Sequence, residues 1–310
     1  MLTLISGGTG SPKLLQGLME LFPSEDLSII VNTGEDTKVS GLRVSPDLDT
    51  VIYTLAGIID DEKWYGIKND SFTGHEMLEE LGHEELLKIG DKDRAVKLCR
   101  TLRMQEGATL SQVTKEITNS FDIQASVLPM TNDLVTTRIV TKNRKMTFHE
   151  FWVENKGEEK VTGVNFLKAE EANPAPDLLE TLNESKNILI GPSNPITSLG
   201  PILAIEEIRK NLEKNREKTL AVSPILGDSP VSGPTGVLMR GLGYEVTPTN
   251  VAELYKEFVS SFMLHEDDES MISHIEDLGM NVHLADLYMP DTSSRINLAE
   301  EILEVLGYSK

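Results

Sequence analysis

Short apolar runs bounded by glycine, proline or polar turn residues recur along the chain. They are Leu2-Thr3-Leu4-Ile5, Leu27-Ser28-Ile29-Ile30-Val31, Asn187-Ile188-Leu189-Ile190, Thr219-Leu220-Ala221-Val222 and Met280-Asn281-Val282-His283-Leu284. Between and after them the apolar period lengthens to that of a helix, at Leu14, Leu15, Leu18 and Met19, at Ile202, Ile205, Ile208 and Leu212, and at Ile296, Ala299, Ile302, Leu303 and Leu306. Strand, helix and strand in succession predict βα units and a parallel sheet. The fold class expected is therefore α/β, with a doubly wound, mainly parallel Rossmann-like sheet.

The middle of the chain reads differently. Residues 50 to 120 are mostly helical in pattern, with Leu86, Leu87, Ala95, Leu98 and Leu102 among charged neighbours. Val135–Val140 and Met146–Val153 then read as a strand pair across the polar stretch Thr141–Lys145. We take 1–50 and 160–310 as the nucleotide-binding core and 51–159 as a helical plus β-hairpin insertion over the carboxyl edge of the sheet, where ligands bind in open α/β folds.

The first strand runs into Ser6-Gly7-Gly8-Thr9-Gly10-Ser11-Pro12-Lys13 and then into the first helix. Glycines allow a tight turn and close approach to a ligand, and a helix N-terminus offers unpaired N–H groups to an anion. The dinucleotide fingerprint fits badly, because its third glycine falls on Lys13, and the Walker pattern fails too. Gly8, Thr9, Gly10 and Lys13 are thus candidates for phosphate binding, although such a turn also serves as a plain βα connection.

Net charge is −21 over 310 residues, which disfavours nucleic acid and anionic membranes as partners. An anionic ligand would need local cations, which calls for a divalent metal, Mg²⁺. One cysteine, Cys99, excludes an internal disulfide or a multi-cysteine metal site, and the six histidines form no H-E-x-x-H pattern. No long apolar span or signal-peptide pattern is visible, so a soluble, cytoplasmic protein is expected.

Ser45-Pro46-Asp47-Leu48-Asp49-Thr50 sets two carboxylates two residues apart, a spacing that suits Mg²⁺ shared with phosphate oxygens or, equally, an ordinary helix start. Gly90-Asp91-Lys92-Asp93-Arg94 places cations beside a glycine turn, with Lys97 and Arg103 assigned to a solvated helix face. Gly191-Pro192-Ser193-Asn194-Pro195 forms a second loop at a strand end, the counterpart of the first, with Ser193 and Asn194 as hydrogen-bonding groups or as parts of a simple turn.

Taken in order, these motifs, with Asn32-Thr33-Gly34-Glu35-Asp36 and Ser223-Pro224-Ile225, resemble those of the 2-phospho-L-lactate transferase family of deazaflavin coenzyme F-420 biosynthesis. The resemblance covers nearly the whole chain. It implies transfer of 2-phospho-L-lactate from lactyl-2-diphospho-5′-guanosine to the deazaflavin Fo, with release of GMP, Mg²⁺ as cofactor and a homodimer as assembly. It implies that Gly8–Gly10 and Lys13 hold the diphosphate, Gly191, Ser193 and Asn194 the nucleotide, and Ser223 a place near the base. Asp49 and Asp47 would bind metal or accept a proton, and Asp49 and Lys92 would contact the deazaflavin, with 51–159 covering that acceptor pocket. An arginine is expected where Lys92 stands, so a bidentate contact there is lost. No residue distinguishes a lactyl donor from a phosphoenolpyruvyl or glyceryl one. The competing reading is a non-catalytic regulator of a related glycine-loop family that binds nucleotide sugars; a dehydrogenase is disfavoured by the missing glycine.

Overall fold

The computed structural model describes residues 1–230 and 233–308. Its centre is a sheet of seven strands: β1 (Leu2–Ser6), β2 (Leu27–Val31), β3 (Ser126–Pro129), β4 (Asn187–Ile190), β5 (Thr219–Val222), β6 (Ser261–His265) and β7 (Asn281–Ala285). The order across the sheet is β7-β6-β5-β4-β1-β2-β3, and every pairing is parallel. The chain thus winds outward from β1 to β3, then crosses back to β4 on the other side of β1. The switch point falls between β1 and β4, where an open α/β sheet leaves a crevice beyond its strand ends.

Consecutive residues in these strands feed two separate cores. Leu2, Leu4, Ile29, Val31, Leu189 and Met263 face one side, packed with helix α1 (Gly10–Leu21), helix α2 (Pro46–Leu55) and the C-terminal helix Thr292–Val305. Ile5, Ile30, Ile188, Ile190, Phe262 and Leu264 face the other. Burial on both faces accounts for the mostly apolar runs. Gly17 lets α1 and Thr292–Val305 close together, since a Cβ there would overlap the Arg295 carbonyl.

The boundary at 51–159 does not survive as a single insertion, because β3 lies inside it and pairs with β2 as an edge strand of the central sheet. Two excursions take its place. The first, between β2 and β3, holds α2, α3 (Thr73–Glu80), α4 (Asp91–Gln105) and α5 (Leu110–Ser120). The second, between β3 and β4, is a three-stranded antiparallel sheet of Thr136–Thr141, Lys145–Thr147 and Val161–Leu167. The strand foreseen over Met146–Val153 ends at Thr147. There the Glu150 carboxylate accepts from the Thr147 amide (2.6 Å) and hydroxyl (2.9 Å) and turns the chain into a π-helical turn, Glu150–Glu154. The helix foreseen through Ile202–Leu212 is two pieces, Gly200–Leu203 and Glu206–Lys214.

Candidate functional site

A cavity of about 590 Å³ opens at the switch point. Its walls include Gly8, Thr9 and Gly10 after β1, Glu35 after β2, Asp47, Asp49 and Tyr53 of α2, Asp93 and Lys97 of α4, and Asn194 after β4. Leu86, Leu87, Ile89, Phe148, Trp152 and Val153 add an apolar side.

Six of the residues expected to act together do converge there: Gly8, Thr9, Gly10, Asp47, Asn194 and Asp49. Five others lie elsewhere. Gly191 and Ser193 bind the two loops to each other rather than facing the cavity. The Ser193 hydroxyl hydrogen-bonds to Ser11 Oγ (2.6 Å) and donates to the Gly7 carbonyl, while a Cβ on Gly191 would overlap Ser11. Gly10 likewise leaves no room for a Cβ against the Pro192 carbonyl. These glycines are needed for loop-on-loop packing. Ser223 is buried and closes its own turn, bonding the Ile225 amide and carbonyl. Lys92 is exposed at the start of α4, where Asp70 caps the helix by accepting from the amides of Lys92 (2.9 Å) and Asp93 (3.0 Å). Lys13 lies beside the cavity against Trp64.

The loop after β2 is fixed by Asn32. Its Nδ2 donates to Asp47 Oδ2 (2.9 Å) and its Oδ1 accepts from the Gly34 amide (2.8 Å). Pro46 occupies the first turn of α2, where its fixed φ suits a helix start, and presents Asp47 and Asp49 inward. The Ser45 hydroxyl, free of any capping role, donates to Asp36 Oδ2 (2.7 Å).

Helix α4 is inverted relative to its sequence pattern. Asp93, Lys97 and Arg100, spaced at helical intervals, face inward, while Leu98 and Leu102 are 46% and 48% exposed. The buried charges are matched to Asp49. Arg100 Nη1 donates to Asp49 Oδ2 (3.2 Å), Arg100 Nη2 pairs with Oδ1, and Lys97 Nζ lies 3.1 Å from Oδ2. Lys97 also pairs with Asp93, which accepts from the Tyr53 hydroxyl at 2.7 Å. Burial alone would raise the Asp49 pKa, but the Arg100 and Lys97 charges overcome it and hold the carboxyl below its ordinary value.

The neighbouring carboxylates have no such match. Burial raises the pKa of Asp47 against the opposing bonds from Asn32 and the Gly8 backbone. Burial, reinforced by Asp47, raises Glu35 far above its ordinary value, and burial pushes Asp36 up to about 8. Glu35 Oε1 and Asp36 Oδ1 are buried without a hydrogen-bond partner. Glu35 and Asp36 thus each leave one hard oxygen donor unpartnered, of the kind a divalent cation takes. Among the described residues no three ligating side chains suffice to hold a metal alone, so oxygens of a bound phosphate would complete its shell.

Sequence reasoning missed Lys97, Arg100, Glu35 and Asp36 as site residues. It also treated His75 and His149 as surface or packing groups. Both line the cavity: His75 Nδ1 bonds Glu85 (2.9 Å), and His149 Nε2 bonds the Glu35 carbonyl (2.9 Å). The Gly34-Glu35-Asp36 motif at a parallel-strand end was the available signal for the carboxylates.

An all-parallel, doubly wound sheet with glycine loops and carboxylates around its switch point defines a Rossmann-like α/β protein with a cavity at that switch point. Comparison with known proteins carries the assignment further. The model of the family 2-phospho-L-lactate transferase CofD matches residues 2–290, and the chain belongs to that family. Its activity is accordingly that of a transferase. The 2-phospho-L-lactate transferase of Methanopyrus kandleri is 49% identical over 308 residues, covering 98% of this chain and 97% of the relative. That of Methanosarcina mazei is 45% identical over 301 residues, covering 97% and 99%. In fold, the chain is similar to a UPF0052-family protein from Bacillus halodurans, with TM-score 0.67 and 16% identity over 97% of this chain and 98% of that one. Among the described residues no helix is long and apolar enough to cross a membrane.

Proposed function

We propose that this chain transfers 2-phospho-L-lactate from lactyl-2-diphospho-5′-guanosine to the deazaflavin Fo and releases GMP. The observation that carries the reading is a single cavity whose two sides have different chemistry. Gly8–Gly10, at the start of α1, and the carboxylates of Glu35, Asp47 and Asp49 form a polar side, while Tyr53, Phe148, Trp152 and Leu86 form an aromatic and apolar one. The first suits a diphosphate and its counter-ion, the second a planar ring system. The lactyl form of the donor is chosen because the relatives named above are 2-phospho-L-lactate transferases.

In this reading the terminal ribityl hydroxyl of Fo attacks the phosphorus that carries lactate. A new P–O bond forms to Fo, the P–O bond to GMP breaks, and the hydroxyl proton passes to Asp47. A buried carboxyl with raised proton affinity is a better acceptor for that proton than an ordinary aspartate. Backbone N–H groups at the start of α1 orient the diphosphate. Lys97, between Asp49 and Asp93, offers a cation to the transferred group, and Arg100 keeps Asp49 ionised so that Lys97 stays in place. Mg²⁺, held by Glu35 and Asp36, would supply charge neutralisation for the diphosphate. Asp49, with both oxygens engaged by Arg100 and Lys97, positions Lys97 and does not bind the metal directly. A homodimer and a cytoplasmic setting belong to the same reading.

The test is a pair of binding titrations. Fo is expected to bind saturably with a change in its fluorescence, and a nucleotide sugar is not expected to compete. Binding of the nucleotide sugar without Fo would make the protein a regulator instead.

A further inference from the structure

Both tryptophans of the chain, Trp64 and Trp152, line the cavity. Trp64 is 5% exposed and has a φ of +61°, a left-handed conformation that bulky residues rarely adopt. Such conformations persist only where the surroundings over-determine them. Here the Trp64 amide donates to the Asp60 carbonyl (2.7 Å), and two cations lie over the indole. Lys13 Nζ lies 5.6 Å from the ring centroid and the Arg295 guanidinium carbon 4.7 Å, both within cation–π range.

Asp61 and Asp291 act on Arg295 only through space, without a direct ion pair. Among the described residues neither Lys13 nor Arg295 forms an ion pair, although the chain carries a large excess of acidic groups. Arg295 donates to Gln16 Oε1 (2.6 Å) and to the Pro290 carbonyl (3.4 Å), and its Nε is buried without a partner. Its backbone is pinned against Gly17 of α1. Burial and the charge of Arg295 both oppose the protonated form of Lys13. Two like charges held over one indole point to the ring they share.

We infer that Lys13 and Arg295 act through Trp64, fixing its indole as the aromatic wall on which the deazaflavin ring system lies. This rests on the proposed acceptor. It gives Lys13 a positioning role toward the acceptor in place of the diphosphate contact that the family resemblance implies. Arg295, far from every glycine loop in sequence, becomes part of the same device.

Two arms test it. In the ligand-free arm, Trp152→Phe leaves Trp64 as the one tryptophan, and acrylamide quenching reads its accessibility. Lys13→Met and Arg295→Met are expected to raise the quenching constant about threefold, and Lys13→Arg to restore it. Unchanged quenching in both Met variants overturns the clamp. In the turnover arm, with Trp152 kept, Lys13→Met is expected to raise KM for Fo about fivefold while kcat and the donor KM stay near wild type. Trp64→Ala should raise the same KM further, and Trp64→Phe should recover most of it. A raised donor KM with an unchanged Fo KM in Lys13→Met would return Lys13 to the diphosphate and overturn the inference. A wild-type protein that does not take Fo would overturn the proposed function, and the quenching arm would still decide the clamp.

Discussion

Asp36 is partly buried beside Asp47 and Asp49, with Oδ2 accepting from Ser45 and Oδ1 enclosed without a partner. Burial is the largest reason its pKa climbs from an ordinary 3.8 to about 8; the Ser45 bond and the Arg100 charge oppose it, and Asp49 and Asp47 add to it. The folded state therefore binds a proton that the unfolded chain gives up between these two values. Stability contributed by this group is complete below the lower value and falls as pH rises through the upper one. At about 1.4 kcal/mol per unit, the loss is about 2 kcal/mol at pH 5 and about 5 kcal/mol at pH 8. Asp36→Asn keeps an acceptor for Ser45 and removes the titration. The variant is expected to be more stable than wild type by an amount that grows by about 1 kcal/mol per pH unit from pH 5 to 8. Urea unfolding across that range, in the absence of divalent cations, measures it. Transfer activity should fall in the same variant, because an oxygen proposed to hold Mg²⁺ is gone. An equal stability difference at pH 5 and pH 8 would refute the assignment of Asp36 as an uncompensated buried carboxyl.

Arg100→Met leaves Asp49 with Lys97 alone and should cost about 3–5 kcal/mol in urea unfolding, as for other buried pairs broken on one side. Because Asp49 is depressed in the folded state, its stability contribution is present above the unfolded value and lost on acidification; that acid-side loss should shrink in Arg100→Met. Lys97→Met should lower kcat about a hundredfold while circular dichroism stays native, as expected when one charge donor at a developing anion is removed. Gly17→Ala should destabilise by about 1–3 kcal/mol despite the better helix propensity of alanine, since its Cβ meets the Arg295 carbonyl; thermal unfolding reads the loss.

The sheet was legible because its central strands are buried on both faces, so Leu2–Ile5 and Leu27–Val31 stand out as mostly apolar runs. β3 escaped notice since Ser126–Pro129 is short and ends in proline, which an edge strand tolerates because no outer neighbour needs its amide. Helix α4 was misread for a different reason. Its inward face is Asp93, Lys97 and Arg100, and charges go inside only where partners such as Asp49 and Tyr53 meet them, which a single segment does not reveal. The glycine loops could be found, but not the division of labour within them. Gly8 and Asn194 face the cavity, whereas Gly191 and Ser193 hold the loops together through Ser11 and Gly7. The Trp64 cluster joins Lys13 to Arg295 across the length of the chain and leaves no local pattern at all.

Product analysis tests the central claim most directly. Purified protein is incubated with Fo, lactyl-2-diphospho-5′-guanosine and Mg²⁺, and the mixture is resolved by mass spectrometry. The account predicts GMP and phospholactyl-Fo in equal amounts, with neither formed when Mg²⁺ is chelated. Intact donor and unmodified Fo after prolonged incubation with protein that binds both would contradict it.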